Sequence, residues 1–118
     1  MSTQATKQVV NQEERRRSQR LLLDVTVIVR GESTQREQFD EITFTISVSA
    51  HGALVVSATS VSLGQKLTLQ NQQTLDEIEG RVARLGAAHG GLTQVGIEFA
   101  RPAPQFWSVT SPPASWNR

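Results

Sequence analysis

Four arginines crowd into residues 15–20 of the chain, in the run RRRSQR, directly ahead of the first apolar segment. Arg15, Arg16, Arg17 and Arg20 each carry a planar fork of donors that grips a phosphate at two points and lies flat on an aromatic base. A compact group of such side chains suits a nucleotide-like anion. A second polar set stands downstream, in ITFTISVSAHGAL at residues 42–54, which alternates apolar and polar until His51 and Gly52. A turn there would carry Ser47, Ser49, His51 and the unhindered backbone of Gly52 to the side of the arginines.

Each feature also has a plainer reading. The arginine run is by itself a solvated charged lead-in, partly neutralised by Glu13 and Glu14. Ser47 and Ser49 are ordinary outward-facing strand serines, and Gly52 is a hairpin glycine, a role compatible with ligand contact. His51 and His89 both neighbour glycine in turns and read as surface residues, since a metal site would need further ligands at suitable spacing and none appears. Catalysis finds no footing, because no nucleophile-base pair, phosphate loop or apolar carboxylate pair can be traced. The chain is expected to be a binding module and not an enzyme, with no cofactor and no metal.

The elements that must hold these residues read as short strands. Residues 1–12 are polar and aperiodic, a mobile lead-in, and residues 13–19 form a helical turn or an ordered strap. Residues 21–30 alternate, with Leu23, Val25, Val27 and Val29 on one face. Residues 31–40 form a polar hairpin loop. In the next strand Ile42, Phe44, Ile46 and Val48 should point inward and Thr43, Thr45, Ser47 and Ser49 outward, which places the site on the outside. Strands follow over residues 53–58, 65–70, 77–85 and 94–100, with Leu67, Leu69, Ile78, Val82, Val95, Ile97 and Phe99 inward and Arg81 outward. Residues 86–91 are a small-residue hairpin. Short strands at this spacing, with no convincing helix, argue for an antiparallel barrel. Beyond Arg101 four prolines leave an irregular tail. Its Phe106, Trp107 and Trp116 either cap the open end of the barrel or pack on its outer surface or, in a sharper reading, stack on an aromatic base or on a partner protein.

Bulk properties narrow the choice further. A chain of 118 residues makes one domain with one modest core. Twelve lysines and arginines against 11 acidic residues leave no basic stripe for nucleic acid, so DNA is not an expected partner. The start of the chain lacks the apolar stretch of a signal peptide, and no apolar run approaches membrane-spanning length, so a cytoplasmic protein without membrane insertion is expected.

RRSQR at residues 16–20 and SVSAHG at residues 47–52 together resemble the two signatures of PilZ domains, R-x-x-x-R before the first strand and then D/N-x-S-x-x-G. The similarity extends from about Glu13 to Arg101, since GALV, GQKLTL, IEGRVARL and GIEF strands follow in the family's order. Ser47 stands where the family has Asp or Asn, while Ser49 and Gly52 fit. The resemblance implies an all-β fold, a small antiparallel six-stranded β-barrel over residues 13–101 with a flexible arginine-rich N-terminal segment, while the irregular tail over residues 102–118 departs from the C-terminal helix that many PilZ domains carry. It implies cyclic di-GMP as ligand, held by Arg15, Arg16, Arg17, Arg20, Ser47, Ser49, His51 and Gly52, and relay to an unidentified protein partner. Two alternatives stand beside it. One is a PilZ-like adaptor that no longer binds cyclic di-GMP, and the other a small barrel that binds single-stranded nucleic acid.

Overall fold

The computed structural model describes residues 18–117, with the backbone alone at Asn117. Residues 1–12, the greater part of the strap, and Arg15, Arg16 and Arg17 lie outside the described residues. Seven strands follow in order: β1 (Leu21–Leu22), β2 (Thr26–Glu32), β3 (Gln38–Ser49), β4 (Gly52–Ser57), β5 (Lys66–Asn71), β6 (Glu77–His89) and β7 (Leu92–Phe99). A single 3-10 helix, Ala114–Asn117, ends the described chain, and no α-helix occurs among the described residues.

Six of the strands close a barrel. The antiparallel ladder runs β3-β2-β5-β6-β7-β4 and returns to β3 through the β3–β4 pairing, with β1 added on β3. Closure is possible because β3 is 12 residues long: its first half pairs with β2 and its second half with β4. No edge is left unpaired around the ring, which removes the main hazard of an exposed sheet. The interior is filled by Val25, Val27, Val29, Val48, Val55, Leu67, Leu69, Val82, Val95, Ile97 and Phe99, all buried. The inward set expected for β2, β5 and β7 is the set observed.

The first expected strand is split. Residues 21–30 divide into β1 and β2 at Leu23–Val25, and Thr45 holds the break. Its hydroxyl donates to the Leu23 carbonyl at 2.6 Å and accepts from the Val25 N–H at 2.9 Å. The hairpin loops are also shorter than the sequence suggests, since β2 and β3 run to Glu32 and from Gln38, and β6 continues to His89. Gly90 and Gly91, at φ 59° and 81°, make the tight turn into β7, as a two-residue hairpin with left-handed centres requires.

The expected facing of β3 is overturned in its first half. Ile42 and Phe44 are 72% and 45% exposed, whereas Thr43 and Thr45 are buried. The cause lies in the register. Residues directly opposite on paired strands share a face, and Val27 opposes Thr43 while Ile28 opposes Ile42 and Thr26 opposes Phe44. Turning the valine face of β2 inward therefore carries Thr43 inward and Ile42 and Phe44 outward. The buried hydroxyls are satisfied, Thr43 by donating to the Val56 carbonyl at 2.6 Å and Thr45 at the β1–β2 break. A bulge between Thr45 and Ser47 then shifts the register, so that Val48 and Ala50 return to the core.

The tail closes one end of the barrel. Phe106, Trp107 and Trp116 are all buried, and Phe106 and Trp107 meet edge to face at 4.8 Å while Trp107 stacks on Phe99 at 6.0 Å. Asn71, fully buried, donates its side-chain amide to the Phe106 carbonyl at 2.8 Å and so ties the plug to β5. Capping is thus the role these aromatic residues take. With their rings enclosed, neither tryptophan offers a face on which a base could stack.

Candidate functional site

The bulge in β3 decides what stands on the outer surface. Past it, Ser47 pairs with Leu54 and Ser49 with Gly52, on the face opposite Val48. The same rows continue across the barrel, since Leu54 opposes Gly96, which opposes Arg84, and Gly52 opposes Glu98. On the other side of β3, Leu22 opposes Ser47. A polar track with a bare glycine in its floor therefore crosses β1, β3, β4, β7 and β6.

Over this track opens a cleft of about 380 Å³ whose walls include Ser18, Arg20, Ser47, Ser49, His51 and Gly52, with Leu54, Arg84, Gly96 and Glu98 at its far side. The structure thus brings Arg20, Ser47, Ser49, His51 and Gly52 to one place. Ser47 is nearly enclosed, at 6% exposure, while Arg20 is exposed. His51 Nδ1 lies 3.0 Å from the Ser18 hydroxyl, which joins the arginine segment to the turn after β3. Ser49 accepts the His51 N–H at 3.2 Å and so shapes that turn, a local side-chain to backbone bond of the kind serine favours.

Gly52 has a requirement of its own. A Cβ placed there would overlap the Ile97 carbonyl oxygen of β7. The glycine is demanded by the approach of β7 to β4, and the open backbone it lends the cleft comes with that packing.

Arg84, Gly96 and Glu98 are cleft residues that sequence reasoning does not find. Val82 is inward, and strict alternation would put Arg84 inward with it. A bulge between Val82 and Arg84 inserts Ala83 and turns Arg84 outward, which is how bulges re-aim side chains. Arg84 makes no ion pair among the described residues. No group of three metal-binding side chains occurs among the described residues either.

A profile of the PilZ domain matches residues 14–106, most of the chain. The chain belongs to the PilZ domain family, whose members generally bind cyclic di-GMP, act as binding or adaptor domains and not as enzymes, and often engage protein partners. No curated protein matches the sequence. No helix among the described residues is long and apolar enough to cross a membrane.

Proposed function

We propose that this chain is a cyclic di-GMP receptor that relays ligand binding to a partner protein. The observation that carries the reading is the meeting of Arg20 with Ser47, Ser49, His51 and Gly52 in a single outer cleft of a PilZ barrel. In this reading Arg16 and Arg20 hold phosphates and lie on guanine faces, assisted by Arg15 or Arg17. Ser49, Ser47, His51 and the Gly52 backbone meet the opposite side. Guanidinium donors favour this task because their bonds to phosphate are charge-assisted and paired. The domain needs no catalytic group for it, since relay requires only that the arginine segment and the barrel surface present a different face when the ligand is held.

Isothermal titration with cyclic di-GMP, alongside GTP and cyclic di-AMP, tests the reading. Selective saturable binding supports it, and absence of both heat and a thermal shift removes it. Ser47 favours a second reading, an adaptor that works through protein contacts alone. A hydroxyl does not reproduce the two-point recognition of a guanine edge that a carboxylate or amide gives. If Ser47 is what weakens the site, Ser47→Asn tightens cyclic di-GMP binding by about tenfold, the worth of one good hydrogen-bonding pair. An Asn variant as silent as the parent chain would favour the adaptor. The single-stranded nucleic acid reading lacks a platform, because Phe44 is the one exposed aromatic ring among the described residues and successive bases need several.

A further inference from the structure

Two indole N–H groups of the C-terminal tail each donate to a backbone carbonyl of one of the two motifs. Trp107 Nε1 donates to the Ser49 carbonyl at 2.9 Å, and Trp116 Nε1 donates to the Gln19 carbonyl at 2.6 Å. Gln19 is gripped from both sides, since its own N–H donates to the Ser115 hydroxyl at 2.9 Å. The residue so held stands between Ser18, which touches His51, and Arg20, which lines the cleft. The Gln19 side chain is exposed, so the grip falls on its backbone and does not depend on its identity. The tail is fixed in turn to the barrel, by the Ala103 N–H donating to the Ala50 carbonyl at 2.7 Å and by the buried ring of Trp116.

From this geometry we infer that Trp116 and Ser115 are positioning residues for the arginine segment, so that docking of the C-terminal 3-10 helix and occupation of the cleft are coupled. Fixing a backbone residue in one conformation costs conformational entropy. A segment already held at residue 19 pays that cost before the ligand arrives. Arg20 then meets an anion from a prepared position. Coupling between two sites is reciprocal, so a ligand gripped by Arg20 also tightens the tail, and any partner that draws the tail away loosens the ligand. The ligand half of this inference rests on the cyclic di-GMP reading, whereas the positioning half does not.

The test uses the full-length protein and three variants. Trp116→Phe keeps an aromatic ring but removes the indole donor, Ser115→Ala removes the second grip with little change in packing, and Gln19→Ala changes neither. Amide hydrogen exchange of β1, referenced to Leu69 in the barrel wall, should accelerate about fivefold in Trp116→Phe and less in Ser115→Ala, the effect of losing one hydrogen bond of about 1 kcal/mol. Gln19→Ala should match the parent. Titrated with cyclic di-GMP, the first two variants should bind about three- to tenfold more weakly, and ligand should slow exchange of the Trp116 indole proton in the parent. Unchanged β1 exchange in both Trp116→Phe and Ser115→Ala overturns the inference. Faster β1 exchange in a protein that shows neither heat nor a thermal shift with cyclic di-GMP removes the ligand reading and leaves the positioning role supported.

Discussion

The arginine at position 20 and the glycine at position 52 sit in the same cleft for opposite reasons. Arg20 is exposed, lies outside the apolar interior and contributes a cation to the wall. Its replacement should be felt by an anionic ligand and scarcely by the fold. Arg20→Ala is expected to weaken cyclic di-GMP binding about ten- to hundredfold, the value of charge-assisted bonds, with thermal midpoint held within about 2 °C. Titration and a thermal melt on the same sample decide it, and a collapse in stability would make the arginine structural. Gly52 is different, because any Cβ there meets the β7 backbone, which cannot step aside as a flexible side chain would. Gly52→Ala should lower stability by about 2 kcal/mol or more, read in urea unfolding. Lost ligand binding in that variant would report a displaced strand pair, and a stable variant would show that β4 and β7 can separate.

At the scale of elements, the site is the product of two bulges. One in β3 turns Ser47 outward, and one in β6 turns Arg84 outward. Most of the barrel was legible because β2, β5 and β7 alternate with valine, leucine and isoleucine on one face, and burial of that face leaves little choice. The first half of β3 runs against its own apolar alternation for a reason found outside β3: its facing is set by the valines of β2 through the shared register, and no local pattern carries that information. Ser47 and Ser49 therefore come to the outer face of the sheet by a shift in register and not by continuous alternation. Arg84 was hidden by the same kind of feature, since an inserted residue leaves no mark in a two-residue period. The Thr45 hydroxyl bonds both sides of the β1–β2 break, and it gives a direct test. Thr45→Val keeps the shape but deprives the Val25 N–H and the Leu23 carbonyl of their bonds to the hydroxyl. It should cost about 2 kcal/mol or more, the penalty for buried groups left unpaired. Urea unfolding measures this, and a neutral result would mean that the break is secured elsewhere.

For the molecule as a whole, the tail joins stability to the site. A six-stranded barrel of this length has a small interior, and three buried aromatic rings from residues after β7 supply a large share of its apolar closure. The aromatic types were visible in the sequence, but their partners were not, because the contacts of Trp107 with Ser49 and of Trp116 with Gln19 span 58 and 97 residues of chain. The plug should therefore behave as part of the barrel's core. Trp107→Ala is expected to destabilise the protein by about 3–5 kcal/mol, as truncation of a buried aromatic ring does. It also leaves the Ser49 carbonyl without its indole donor at the start of the turn that carries His51. Trp107→Phe separates the two effects: it restores most of the ring, so stability should recover by more than half, while the carbonyl remains unmatched. Chemical unfolding of both variants, followed by cyclic di-GMP titration under conditions where each is folded, reads the two quantities independently. Weak binding in a stable Trp107→Phe protein would trace the loss to the orientation of the turn, and parent-like binding would confine Trp107 to closure of the barrel.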